Sequence, residues 1–179
     1  MVTLNLAYTA PINPPGALPV LTGAQVWAGL ERKVHRAHEF VPAIGSCTVL
    51  SSSADNVVLR EIRFVAGARP GSGSPDPDPA AAAAGAPPAL DPVPVRERCH
   101  LFPPCRVDFA QLADGATISN IVSRSSAGDL LMTYVFEWRR PAIADGSEAA
   151  RALEEQSTKA VATTATLCFC GSGSRTRYH

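Results

Sequence analysis

Apolar and polar residues alternate along most of this chain, and the pattern predicts an antiparallel β-rich domain with a helix near each end. Leu4, Leu6 and Tyr8 alternate with Thr3, Asn5 and Ala7, which predicts a first strand over residues 3–9. Residues 11–19 contain four prolines and read as a loop. Thr22 then has the character of a helix N-cap. Gln25, three residues on, completes a capping box, and Leu21 and Val26 can form a hydrophobic staple. Val26, Trp27, Leu30, Val34, Ala37 and Val41 form a helical stripe that Pro42 ends, with Glu31, Arg32, Lys33 and Arg36 on the other side. Further strands are expected over residues 45–51, 56–66, 95–102, 106–109, 116–124 and 129–139. Turn signals such as Ser53-Ala-Asp55, Ala113-Asp-Gly115 and Ser126-Ala-Gly128 separate most of them.

Two charges break the alternation. Arg60 shares a strand face with Val58, Ile62 and Phe64, and Glu97 shares one with Val95, Cys99 and Leu101. Strand side chains alternate strictly, so each charge points the same way as its apolar neighbours. A charge buried alone costs many kcal/mol, so it is paired or faces a wet cavity. The two strands flank one inserted loop, which makes an ion pair the natural arrangement. Such a pair either orients a ligand oxygen, with Glu97 as proton acceptor, or satisfies itself structurally.

The last strand adds a row of bulk, with Leu130, Met132, Tyr134, Phe136 and Trp138 on one face. Such a row needs a thick core or a ligand. Tyr134 can line a pocket while its hydroxyl donates to a bound oxygen. Asn120 shares a face with Ile118 and Val122, which makes it either a third inward polar group or the cap of a bulge. After Pro141, Ser147 is a second N-cap, with Glu148 favourably placed against the helix dipole. The face that follows, Leu153, Ser157, Ala160, Val161, Thr164 and Leu167, is small. A small face over a bulky sheet either packs closely or leaves a void.

Composition narrows the classes. The 179 residues suit one domain, with 46% hydrophobic residues and a formal net charge of +0. A sequence pI near 6.9 argues against a nucleic-acid partner. The absence of a long apolar run argues against a membrane span. The first residues lack a basic region and an apolar core of a signal peptide, so a cytoplasmic location is expected. Residues 67–94, rich in Pro, Ala, Gly and Ser, read as a disordered insertion, and residues 168–179 as a divergent, disordered tail. Cys47 and Cys99 read as small core residues. Cys168 and Cys170 form a lone CxC, a weak signal for metal or redox use. His35 and His38 lie one helical turn apart beside Arg32 and Arg36, a solvated face rather than a metal site. Asp108, in PPCRVDF, could serve as an acid, but the DF pair is too short to be diagnostic. The sequence lacks GxSxG, HExxH, P-loop and GxGxxG motifs, and neither metal nor cofactor is expected.

The segments LNLAYTAPIN, LTGAQVWAGLERKVHRAHEFVPAIGSC, NVVLREIRF, VRERCHLFPPCRVDF, ISNIVS and LLMTYVFEWRRP, in this order, resemble the AtaL-like branch of the SRPBCC superfamily. That superfamily includes START lipid-transfer domains and birch-pollen-allergen-type proteins. The resemblance spans roughly residues 4–162. It implies an α+β helix-grip fold, in which a curved antiparallel sheet wraps around a long C-terminal helix and encloses an apolar cavity. It also implies binding of a small hydrophobic molecule, in fungal secondary metabolism. A cofactor-free cyclase or dehydratase acting on a polyketide-like metabolite is the alternative, with Glu97 and Tyr134 as catalytic candidates and Arg60 assisting. A protein-interaction module is a third reading. The expected ligand contacts are Arg60, Glu97, Asn120, Met132, Tyr134 and Phe136. The oligomeric state is left open.

Overall fold

Each alternating segment forms a strand, and antiparallel pairing joins the strands into one sheet. The computed structural model describes residues 2–68, 89–140, 142–155, 157 and 158. Its strands are β1 (Val2–Pro11), β2 (Ile44–Ser53), β3 (Val57–Phe64), β4 (Val95–Phe102), β5 (Arg106–Gln111), β6 (Thr117–Arg124) and β7 (Leu130–Arg140). They agree with the segments expected from alternation to within two residues at either end. The sheet order is β1-β7-β6-β5-β4-β3-β2, with every neighbouring pair antiparallel. Tight turns need positive φ, which Asn56 (φ 58°), Gly115 (φ 71°) and Gly128 (φ 91°) supply at three of the hairpins.

β1 and β2 are adjacent in order along the chain yet occupy opposite edges of the sheet. The chain crosses between them through the proline-rich loop and helix α1 (Gly23–His35). Asn13 ties that loop back to the helix entry, because its amide pairs with both the N–H and the carbonyl of Leu21 at 2.8 and 2.9 Å. The capping box is complete: Thr22 Oγ1 accepts from Gln25 N–H, and Gln25 Oε1 accepts from Thr22 N–H. Val26, Leu30 and Val34 form the buried stripe of α1. Burying each such side chain contributes roughly 1.5–3 kcal/mol.

α1 is shorter than its stripe suggests. It ends at His35, and Ala37–Glu39 form a 3-10 turn instead of a continuing α-helix. The apolar positions Ala37 and Val41 still reach the interior, but through this turn. Ala37 is fully buried beside Ile44, Ile62, Phe64 and Val95, with Val41 packed against that cluster. Breaking the helix there lets the chain swing directly into edge strand β2.

The C-terminal helix begins where expected. Ser147 Oγ accepts from Ala150 N–H at 3.1 Å, and residues 148–155, 157 and 158 are helical. Ala150 and Leu153 join the main core, and Ser157 is buried. The expected positions Ala160, Val161, Thr164 and Leu167 lie outside the described residues, as do Cys168, Cys170 and the tail at 168–179.

At the other long connection, residues 69–88 of the expected 67–94 insertion also lie outside the described residues. Its far end is tied to β3: Ala66 N–H donates to Ala89, Asp91 N–H donates to Phe64, and Val65 pairs with Leu90. Among the described residues no helix is long and apolar enough to cross a membrane.

Burial and capping should separate cleanly in α1. Thr22→Ala should lower unfolding free energy by about 1 kcal/mol, and Leu30→Ala by about 2–5 kcal/mol. Urea denaturation checks both. A Leu30 variant no worse than the cap variant would contradict the packing of α1 on the sheet.

Candidate functional site

The interior face of the sheet is built by register. Across the strands, Leu6, Phe136, Ile118, Phe109, Cys99 and Val58 form one row, each opposite the next. The adjacent row reads Tyr8, Tyr134, Asn120, Val107 and Leu101. Met132 and Phe136 flank Tyr134 on the same face of β7, and all three are buried. The Phe136 and Trp138 rings lie 5.1 Å apart, centroid to centroid.

Arg60 and Glu97 stand directly opposite each other on β3 and β4, with 3% and 2% exposure. Arg60 Nε and Nη2 donate to Glu97 Oε2 at 2.9 and 2.7 Å. Nη1 donates to the Lys33 and Val34 carbonyls at 2.8 and 2.9 Å. Those carbonyls belong to the last turn of α1, where backbone acceptors lack helical partners and partial negative charge collects. The guanidinium also lies over the Phe109 ring, with Cζ 4.7 Å from its centroid. Burial works against the Arg60 charge, but the Glu97 carboxylate, by charge and hydrogen bonding, together with the neighbouring Cys99 and Cys47, raises the guanidinium pKa. The group therefore fastens a helix end to two strands.

Asn120 is different. It is 1% exposed, and neither its Nδ2 nor its Oδ1 has a hydrogen-bond partner among the described residues. Its neighbours across the strands are Val107 and Tyr134. A buried amide left without partners costs about 1–3 kcal/mol.

The helical pattern places Lys33 on the outward side of α1, but in the structure its side chain turns inward. Its ammonium lies 5.6 Å from the Tyr134 ring centroid and 5.8 Å from that of Phe109, both on the interior face. Lys33 follows Leu30 by three positions and Val26 by seven, so it sits at the margin of the buried stripe. That spacing was the available signal. A lysine at a stripe margin can bury its stem and deliver its charge inward.

The remaining candidates lie elsewhere. Asp108 is on the opposite face of β5 from Val107 and Phe109, with Oδ2 3.3 Å from Arg106 Nε. His35 Nδ1 donates to the Glu31 carbonyl at 2.8 Å. Cys99 is fully buried, and burial pushes its thiol up to about 12, against the opposing pull of Arg60. Cys105 is exposed.

The family model described as acetylaranotin biosynthesis cluster protein L matches residues 6–168. The chain belongs to this AtaL family. Among curated proteins, none matches the sequence. The AtaL chain also resembles solved structures. An aromatase/cyclase, Zhui from Streptomyces sp. R1128, aligns with 96% of this chain and 93% of its own, at 15% identity and a TM-score of 0.58. Ara h 8.0201 aligns with 96% of this chain and 97% of its own, at 8% identity and a TM-score of 0.53. Ginseng major latex-like protein 151 from Panax ginseng is more distant, at 9% identity and a TM-score of 0.44 over 93% of this chain and 98% of its own. The likeness to the first two structures gives the AtaL chain the helix-grip fold, a curved antiparallel sheet with a C-terminal helix that begins at residue 148.

Breaking the Arg60–Glu97 pair from one side strands a buried charge. Arg60→Leu and Glu97→Gln should each cost about 3–5 kcal/mol, and the double variant should recover much of that loss. A double-mutant cycle in urea reads this out, and additive losses would contradict the pairing. At pH 8, Cys105 in the folded protein should alkylate with iodoacetamide while Cys99 stays unmodified. Peptide mapping distinguishes them, and early labelling of Cys99 would show that it is not sealed in the core.

Proposed function

We propose that this AtaL-family chain binds a small hydrophobic molecule between the interior face of its sheet and its helices, in the service of secondary metabolism. Asn120 carries the reading. An amide with both ends unpartnered in an otherwise apolar wall is best accounted for by a ligand that completes it. Met132, Tyr134 and Phe136 supply the apolar surface around it. Arg60 and Glu97 hold the frame of the site, since the Arg60 guanidinium is engaged with Glu97 Oε2 and with the α1 carbonyls.

The second reading is a cofactor-free cyclase or dehydratase acting on a polyketide-like molecule. It is favoured by the likeness to an aromatase/cyclase and by Tyr134 standing next to Asn120. Against it, Glu97 is the buried carboxylate among the described residues, and its Oε2 is held by two hydrogen bonds from the Arg60 guanidinium, which favours the charged carboxylate in place. Shared fold alone does not transfer chemistry.

The neutral dye N-phenyl-1-naphthylamine tests for the binding space. Its fluorescence should rise saturably at one site per chain. Met132→Trp should abolish that site while leaving the fold intact, because the added ring enters an open volume. Forced into a filled core, the same ring would cost about 1–3 kcal/mol. Absence of dye binding together with a strongly destabilised Met132→Trp would overturn the reading.

A further inference from the structure

We infer that the ligand presents a cis-amide edge, the adjacent N–H and C=O of a lactam or carboxamide, and that Asn120 pairs with that edge through both ends of its side chain. The inference rests on the binding reading above and adds the chemical class of the ligand's polar group.

Asn120 is 1% exposed, and among the described residues neither Nδ2 nor Oδ1 has a hydrogen-bond partner. Strand alternation sets it on the face of Ile118 and Val122, and its cross-strand neighbours are Val107 and Tyr134. Charged groups nearby in the sheet are spoken for or face away. Arg60 is committed to Glu97 and to the end of α1, and Asp108 lies on the opposite face of β5. The side chain is therefore a neutral donor and a neutral acceptor, side by side, in an apolar wall.

That pattern selects its complement. An ionised carboxylate accepts from Nδ2 but sets its charge against Oδ1, and an ammonium does the reverse. A ketone or ether satisfies one end. A hydroxyl directs its hydrogen and its lone pairs from a single atom, which cannot align with both ends. A carboxylic acid carries both functions only when protonated, well below neutral pH. A phenol beside a carbonyl closes its own internal hydrogen bond. A cis-amide stays neutral, cannot satisfy itself internally, and spaces its donor and acceptor as the Asn120 amide does. Two N–H···O bonds then leave neither end of Asn120 buried and unpaired. The flanks suit a flat ring: Tyr134 stands opposite Asn120, Phe136 opposite Ile118 and Met132 opposite Val122.

Two bicycles of the same shape test this on the full chain by isothermal titration calorimetry. 2-Quinolinone carries the lactam N–H and C=O, whereas coumarin has a ring oxygen in place of the N–H and turns it toward Oδ1. The wild-type chain should bind 2-quinolinone about tenfold more tightly than coumarin, or better, because a site built for an N–H rejects the analogue lacking it. Methylation of the quinolinone nitrogen should remove the advantage. Asn120→Leu and Asn120→Val, two apolar replacements of different size, should each bring the ratio close to one, with thermal melts identifying the folded variants. Equal affinities for lactam and lactone in the wild type, or a preference undiminished in a folded Asn120 variant, would overturn the inference and leave the binding reading standing. So would binding of N-phenyl-1-naphthylamine with no binding of either bicycle. Failure of all three probes to bind would overturn both.

Discussion

One buried guanidinium holds this architecture in register. Arg60 joins β3 to β4 through Glu97 and joins both strands to α1 through the carbonyls of Lys33 and Val34. α1 belongs to a connection that must travel from one edge of the sheet to the other. Its end is located by packing, by Arg60 and by a weaker bond from Cys47 Sγ on β2 to the Val34 carbonyl. A buried ion pair is a costly way to gain stability, because desolvation offsets most of the attraction. Its use here is positional. A fork of donors reaching a carboxylate on one side and helix carbonyls on the other fits one relative placement of helix and sheet.

That placement sets the character of the interior. The sheet contributes aromatic and aliphatic rows with Asn120 among them, and α1 contributes Lys33 from above Phe109 and Tyr134. In the proposed binding role, the fold would supply the apolar walls and the particular polar groups the selectivity. Family membership and likeness to an aromatase/cyclase identify the scaffold, whereas the ligand is decided by side chains at individual positions.

Much of this was legible from patterning, for physical reasons. Strand alternation has a strict period of two, so it located the strands closely and exposed Arg60, Glu97 and Asn120 as polar residues on apolar faces. The cap at Thr22 was legible because its hydrogen bonds are local. The end of α1 was not. Ala37 and Val41 keep the helical spacing but meet the core through a 3-10 turn, and much of the cluster they join, Ile62, Phe64 and Val95, lies far away in sequence. Lys33 was hidden for a related reason. A helical position at the margin of a stripe can face either way, and the long stem lets tertiary surroundings choose. The destination of the Arg60 Nη1 group on α1 could not be read from spacing, since it joins residues more than twenty positions apart.

The most direct test of a ligand-completed interior is native mass spectrometry of the full chain purified from its own host, before any exposure to organic solvent. The expected spectrum shows a reproducible small-molecule adduct on the wild-type protein, released on denaturation and lost in Asn120→Leu. A bare polypeptide mass in repeated preparations, or an adduct equally retained by Asn120→Leu, would contradict the assignment of Asn120 as the ligand's buried polar contact.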